Sequence, residues 1–388
     1  MRLAFFTSIV SDGNPMTGFE IANDAILAGL RELGHSVTVF GFKLPRQADI
    51  DDADCVVLGT RELENASVGV GQKMQWLVQA VRSGLPFAAA KLADYSIGEL
   101  DQLIELHGPF DAHILNSYQM AAAFPHLRGK PHVYVAHNVE HRSAAQNAEA
   151  TRSALQRFLY RRDARLLRRL ETQLCAGANF VWTFSADDLD DHKLDKGAGS
   201  RLPLYLPGAS QTEPTTTKKY DVGLIGTWSW QPNFVGLKWF VEQVVPKLPD
   251  TVSVAIAGNV PDQSFAGDGA GNERVTFLGR VDSADGFLNS VRVVPLISRG
   301  GTGVQLKTIE VFQAGRACVA TSSSLRGIDV LPANCAQADT EEAFSQALIA
   351  MIEKEKLENM PTVDGGLFKL KQKQNLALAL QQGIAALA

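Results

Sequence analysis

The sequence predicts an α/β protein of two domains, each built on a doubly wound parallel sheet. Three observations carry that expectation. Short apolar runs alternate with stretches of helical periodicity, which is the rhythm of βαβ units. The rhythm breaks once, over residues 201–219, where Pro203, Pro207, Gly208, Pro214 and three consecutive threonines interrupt all periodicity, and then restarts. A length of 388 residues is enough for two or three cores of ordinary size.

The elements follow in order. Residues 3–6 read as a buried strand, 7–18 as a polar loop, and 19–33 as a helix with Ile21, Ala25, Leu30 and Leu33 at helical spacing. Gly34 and His35 stop that helix, and 37–40 is the next strand. Residues 55–58 follow as strand, 72–81 as helix, and 87–90, 112–115 and 132–136 as strands. Beyond the break come strand 222–225, helix 232–245, strands 252–257, 275–278 and 291–296, helix 304–314 and strand 318–320. The Ala/Leu/Gln-rich tail 367–388 reads as helix. The expected division is therefore 1–200, a linker 201–219, a second domain 220–366 and a C-terminal helix 367–388.

Composition narrows the class. With 37 basic and 42 acidic residues the net charge is −5, so no global basic field draws the chain to nucleic acid. Four cysteines, at 55, 175, 318 and 335, show no close pair and no CxxC, which speaks against a zinc or redox motif and for a reducing cytoplasm. No apolar stretch approaches the roughly 20 residues that span a bilayer. The start does not read as a signal peptide either, because Arg2 is followed by only four apolar residues before a polar segment.

Open parallel sheets bind ligands beyond the carboxyl ends of their strands, and two such domains make a shared cleft the default site. That selects loops 7–18 and 136–142 in the first domain and 226–233 and 298–303 in the second. The strongest signal is 291–321, VRVVPLISRGGTGVQLKTIEVFQAGRACVAT, where a strand runs into Ser298-Arg299-Gly300-Gly301-Thr302-Gly303 and then a helix. Glycines let the backbone approach a phosphate, and a helix N-terminus offers N–H groups and a partial positive charge. Lys307 brings a full charge to the same anion. Glu310 shares its helix face and suits the paired hydroxyls of a ribose. A Walker loop would need Gly where Leu306 stands, and the dinucleotide fingerprint would need its third Gly at that same position. A glycine-rich turn beside a solvated Lys/Glu pair is the plain alternative, and spacing leaves both open.

Three further features stand out. His137-Asn138-Val139-Glu140-His141 carries the letters of the H-x-x-E-H zinc motif, but His137 falls at a strand end, where the helical geometry fails. A cleft residue that hydrogen-bonds substrate, or a structural histidine in a turn, fits better. Residues 152–170 hold seven arginines and one acid. On a helical wheel Arg157, Arg161, Arg165 and Arg168 share a face opposite Leu155, Leu159, Leu166 and Leu170, which suits anionic lipid or plain solvation. In Gly226-Thr227-Trp228-Ser229-Trp230 a glycine at a strand end permits close ligand approach. The tryptophans suit sugar stacking or core packing equally.

Together these pieces resemble glycosyltransferase family 4, a GT-B-fold group with two Rossmann-like domains. The resemblance runs from Leu33-Gly34-His35-Ser36-Val37 through His137-Asn138, GTWSWQPNFVGLKWF, Ala257-Gly258-Asn259 and Phe277-Leu278-Gly279-Arg280-Val281. It is most specific in GGTGVQLKTIEVFQAGRACVAT, a glycine-rich variant of the family's donor segment. The resemblance implies a retaining, hexosyltransferase-type enzyme. It would move sugar from a nucleotide-sugar donor to a saccharide or glycolipid acceptor in polysaccharide or glycoconjugate synthesis, without a bound metal. Lys307 would contact the diphosphate, Glu310 the ribose, and Gly226, Thr227, Arg299, Gly300, Gly301, Thr302 and Gly303 the phosphate and sugar. Gly279, Arg280 and Val281 would border the base, His137 would reach the donor sugar, and Gly13, Thr17, Gly18 and Asn138 would lie on the acceptor side. The C-terminal helix would cross back onto the first domain.

Two departures stand against the common family pattern. Thr302 replaces a second glutamate, and an Arg/Lys pair is missing from 227–233. They keep alternatives open: a catalytically silent GT-B protein that binds a nucleotide sugar or partner, or another GT-B enzyme such as an epimerase. The resemblance places the chain in the cytoplasm, at the inner face of the membrane if the arginine helix touches lipid.

Overall fold

The structure, a computed structural model, describes residues 1–65, 67–195, 197–206, 218–228, 231–260, 274–358, 360–361 and 363–387. Its contacts divide the chain into two units, Met1–Leu204 with Lys373–Ala388, and Tyr205–Gln372. The expected linker lies mostly outside the described residues, at 207–217. The division between the units falls among its first residues, where Arg201 ends a strand and Leu202, Leu204 and Tyr205 are buried.

The first unit holds β1 (Arg2–Ile9), β2 (Ser36–Lys43), β3 (Cys55–Thr60), β4 (Ala112–Asn116), β5 (His132–Ala136), β6 (Phe180–Thr183) and β7 (Gly199–Arg201). Their order is β3-β2-β1-β4-β5-β6-β7, with every pairing parallel. The second unit holds β8 (Tyr220–Ile225), β9 (Val254–Ala257), β10 (Val275–Gly279), β11 (Val291–Leu296), β12 (Cys318–Ala320) and β13 (Cys335–Gln337), again all parallel, in the order β10-β9-β8-β11-β12-β13. Strands covered on both faces must be apolar throughout. Accordingly β1, β4, β5 and β9 are buried along nearly their whole length. In each sheet the order reverses beside the first strand, between β1 and β4 and between β8 and β11. The crevices that bind ligands in open α/β sheets lie at such points.

Several expectations are corrected. Residues Phe87–Ala90 form a helical turn instead of a strand. Four apolar residues carry no period of their own; Pro86 sets the entry, and the Phe87 amide donates to Asp163 Oδ2 at 2.9 Å. Strand β1 runs on to Ile9, so Thr7 and Ser8 are buried strand residues and not loop. The expected helix 232–245 is Gln231–Trp239, which passes into a π turn at Phe240–Val244 and a 3-10 turn at Val245–Lys247. Cys318 and Cys335, distant in sequence, are register partners on β12 and β13.

The arginine-rich helix spans Ala154–Gly177, and its buried residues are Leu167, Glu171 and Leu174. Leu155 is not part of that face; it is 63% exposed and Phe158 61%. The helix meets the core only from Arg162 onward, where that guanidinium donates to Ala80 O at 2.6 Å and Leu85 O at 3.2 Å. The last helix, Gly365–Ala385, belongs to the first unit from Lys373. There Trp182 Nε1 donates to Ala379 O at 3.0 Å, and Lys373 pairs with Glu32 at 2.8 Å.

Candidate functional site

In the second unit the loops after β8 and β11 flank the switch point, and β10 stands at the sheet edge, two strands from β8. Trp228 lies 4% exposed beneath the loop after β8, donating Nε1 to Ala257 O at 2.7 Å. Gly226 lies against this ring: a Cβ there would stand 3.2 Å from it. Trp228 is therefore core and not a sugar platform, while Trp230 lies outside the described residues. Thr227 is exposed, its carbonyl accepting from Asn233 Nδ2 at 3.1 Å. Gly279, at φ +63°, ends β10 and accepts at its carbonyl from the Gly258 amide at 2.6 Å; exposed Arg280 and half-buried Val281 follow.

The loop after β11 has the geometry its glycines allow. Gly300, Gly301 and Gly303 stand at φ +120°, +91° and +75°, conformations that any side chain would strain. The helix Leu306–Gln313 follows, and no side chain caps it, so the positive end of its dipole opens at the loop. Lys307 is its second residue, and Nζ hydrogen-bonds Glu310 Oε2 one turn on; the side chains are 34% and 19% exposed. The helix start is anchored by Thr308 Oγ1, which donates to Ser324 O at 2.6 Å. Arg299 turns elsewhere: its guanidinium lies 4.4 Å from the Trp239 ring centre and donates to Asp339 O at 3.2 Å.

Sequence reasoning missed Arg326, which stands in the turn after β12. Its guanidinium donates to the carbonyls of Gly300, Gly301 and Gly303. The local signal, an arginine after Ser322-Ser323-Ser324-Leu325, carries no hint of that target.

In the first unit the loop after β1 holds Gly13 at φ +85° and ends at Thr17, the N-cap of the helix Gly18–Glu32. Thr17 and Glu20 form a capping box. The fully buried Glu20 also accepts from Arg46 Nη2 at 2.9 Å and Gln47 Nε2 at 2.8 Å. His137 follows β5 and is 9% exposed, stacked on Phe19 at 4.6 Å and edge-on to Phe184 at 4.8 Å. Asn116 donates its amide to Thr7 Oγ1 and Asn23 Oδ1, so its own Oδ1 accepts from His137 Nε2 at 2.8 Å. Burial drives the His137 pKa down to about 3, so the ring is neutral.

The neighbouring residues go to other partners. Asn138 Nδ2 donates to Glu140 Oε1 at 3.1 Å, and burial raises the Glu140 carboxyl to about 7. His141 lies inside the helix Glu140–Ala150 and donates Nδ1 to Glu171 Oε2 at 2.6 Å. The two histidines of the H-x-x-E-H letters thus face different partners. Among the described residues, no group of three or more His, Cys, Asp or Glu side chains is placed to hold a metal ion, and no helix is long and apolar enough to cross a membrane.

Two Rossmann-like parallel sheets, one carrying a glycine-rich loop at its switch point, are the architecture of the GT-B class of fold. The match to known proteins is consistent with this. Residues 219–354 match the family described as Glycosyl transferases group 1. WaaG, a glycosyltransferase involved in lipopolysaccharide biosynthesis, is similar at a TM-score of 0.60 and 14% identity, over 99% of this chain and 98% of its own. Sucrose-phosphate synthase from Thermosynechococcus elongatus is similar at 0.63 and 15%, over 99% and 98%. Anabaena HepE in complex with UDP is similar at 0.56 and 15%, over 99% and 98%. At these identities the likeness is one of fold. No curated protein matches the chain.

Proposed function

We propose that this chain is a retaining glycosyltransferase of hexosyltransferase type, moving a sugar from a nucleotide-sugar donor to a hydroxyl of a saccharide or glycolipid acceptor. The observation that carries the reading is the loop of left-handed glycines running into an uncapped helix start, with Lys307 and Glu310 one turn apart on it. A UDP-bound protein among the structurally similar ones supports the ligand class.

The donor diphosphate lies against loop 300–303, with the Lys307 ammonium on its oxygens. Glu310 then turns from Lys307 to the ribose hydroxyls, and Gly279–Val281 borders the base. Gly226, Thr227 and the loop backbone line the donor sugar. As the glycosidic bond breaks, negative charge grows on the diphosphate, where helix amides and Lys307 stabilise it most. The departing oxygen accepts the acceptor hydroxyl's proton on the same face, so configuration is retained and no carboxylate pair is needed. Charge neutralisation by Lys307 and the helix dipole takes the place of a metal ion.

In the first unit, neutral His137 is a hydrogen-bonding partner for a sugar hydroxyl, not an acid. Gly13, Thr17, Gly18 and Asn138 belong to acceptor recognition. Exposed Arg161, Arg165 and Arg168, with exposed Leu155 and Phe158, suit contact with an anionic membrane carrying a lipid-linked acceptor, on the cytoplasmic side. Arg157 is half-buried and already donates to Thr151 O at 3.0 Å.

The test is calorimetry against a panel of nucleoside diphosphates, then transfer from the matching sugar donor with and without EDTA. Binding of one diphosphate, EDTA-resistant turnover and a product of retained anomeric configuration are expected. Inversion, or no binding to any diphosphate, would overturn the reading.

A further inference from the structure

The turn after β12 clasps the glycine loop at several points. Thr321 Oγ1 donates to Ser298 O at 2.6 Å, and the Ser298 amide donates to Ser324 Oγ at 2.8 Å. Farther along the loop, Arg326 donates Nε to Gly303 O at 3.2 Å, Nη2 to Gly300 O at 3.1 Å and Nη1 to Gly301 O. A guanidinium is a rigid planar fork, so three bonds fix three carbonyl directions together.

Those directions constrain where the amides point. In a trans peptide the C=O of one residue and the N–H of the next are antiparallel. With the carbonyls of Gly300, Gly301 and Gly303 turned to Arg326, the N–H groups of Gly301 and Val304 point away from the guanidinium. Amides turned from the guanidinium are the groups that can meet an anion on the loop's other side, and left-handed residues occur in such anion-binding loops.

We propose that Arg326 is the positioning residue of the donor site. It does not bind the diphosphate itself; it holds the loop carbonyls back so that the loop amides present to the anion. The inference rests on reading the loop as a diphosphate site. It predicts that shape, and not charge alone, matters at this position, because Lys supplies charge without the fork.

The experiment is calorimetry on the full chain. Wild type, Arg326→Lys, Arg326→Ala and Ser324→Ala are titrated with the nucleoside diphosphate that wild type prefers and with the corresponding nucleoside. Arg326→Lys should weaken diphosphate binding about tenfold or more while the nucleoside changes little. Ser324→Ala, which removes a different part of the clasp, should weaken it in the same selective way but less. Guanidinium ion should restore diphosphate binding to Arg326→Ala where ammonium at equal ionic strength does not. Wild-type affinity in Arg326→Lys, or equal losses for diphosphate and nucleoside in both Arg326→Lys and Ser324→Ala, would overturn the positioning role alone. Failure of wild type to bind any nucleoside diphosphate or inorganic pyrophosphate would bring down the site reading with it.

Discussion

Replacing Lys307 by Met tests the donor site most directly, because it removes a charge and keeps a long helix-forming side chain. The ammonium is bonded to Glu310 in a half-exposed i,i+3 pair, and such pairs add only about 0.3–0.5 kcal/mol to a helix. Folding stability should therefore stay within about 0.5 kcal/mol of wild type. Binding should not. At about 4 Å from a phosphate oxygen and an effective dielectric of about 20, the attraction is about 4 kcal/mol. Part of it replaces the bond to Glu310, so the net is that of a charged hydrogen bond, about 1.5–3 kcal/mol, or roughly 12- to 150-fold in affinity. Losing Lys307 also leaves the Glu310 carboxylate facing the diphosphate, with like charges in one site. The double variant Lys307→Met with Glu310→Gln should accordingly bind nucleoside diphosphate better than the two single effects add up to, a coupling that a double-mutant cycle reads. Isothermal titration with diphosphate and with the bare nucleoside supplies all the numbers. A Lys307→Met protein that binds diphosphate within about twofold of wild type would refute the phosphate assignment.

Three further outcomes follow from the structure. His113 on β4 is 3% exposed, and burial lowers its pKa to about 4; unfolded histidines protonate below about 6.5, so the unfolded state binds the extra proton between those values. Its contribution falls by about 3 kcal/mol as pH drops from 6.5 to 4, so urea unfolding at pH 7.5 and pH 4 should show wild type losing that much against His113→Leu; parallel losses would remove the account. A Cβ on Gly236 would sit 2.2 Å from Ile297 O, so Gly236→Ala should destabilise the second unit by about 1–3 kcal/mol in denaturant melts, and an unchanged midpoint would contradict the packing. If the exposed arginines meet lipid, the protein should pellet with anionic vesicles at low salt and less so with Arg161→Glu plus Arg165→Glu; equal recovery of both in the supernatant would retire the membrane face.

What depends on neighbours along the chain was legible in the residues alone. A mostly apolar run makes β5 or β11 a covered strand wherever it sits, and both have the bounds that pattern marks. Glycine's tolerance of positive φ belongs to the residue, so Gly300, Gly301 and Gly303 mark their loop before any contact is known. Lys307 and Glu310 meet because helix geometry brings i and i+3 together. What distant segments do to one another came only with the folded chain. Phe87–Ala90 is a helical turn because its first amide reaches Asp163, 76 residues away. Trp228 is core because its indole finds a carbonyl at the end of β9. Phe158 is exposed because the core reaches its helix only farther along. Arg326 holds the glycine loop across 23 to 26 residues because parallel β11 and β12 set their carboxyl ends side by side. Parallel neighbours must be joined by long crossovers, so the residues that complete a strand-end site are far from it in sequence and meet it only through sheet register.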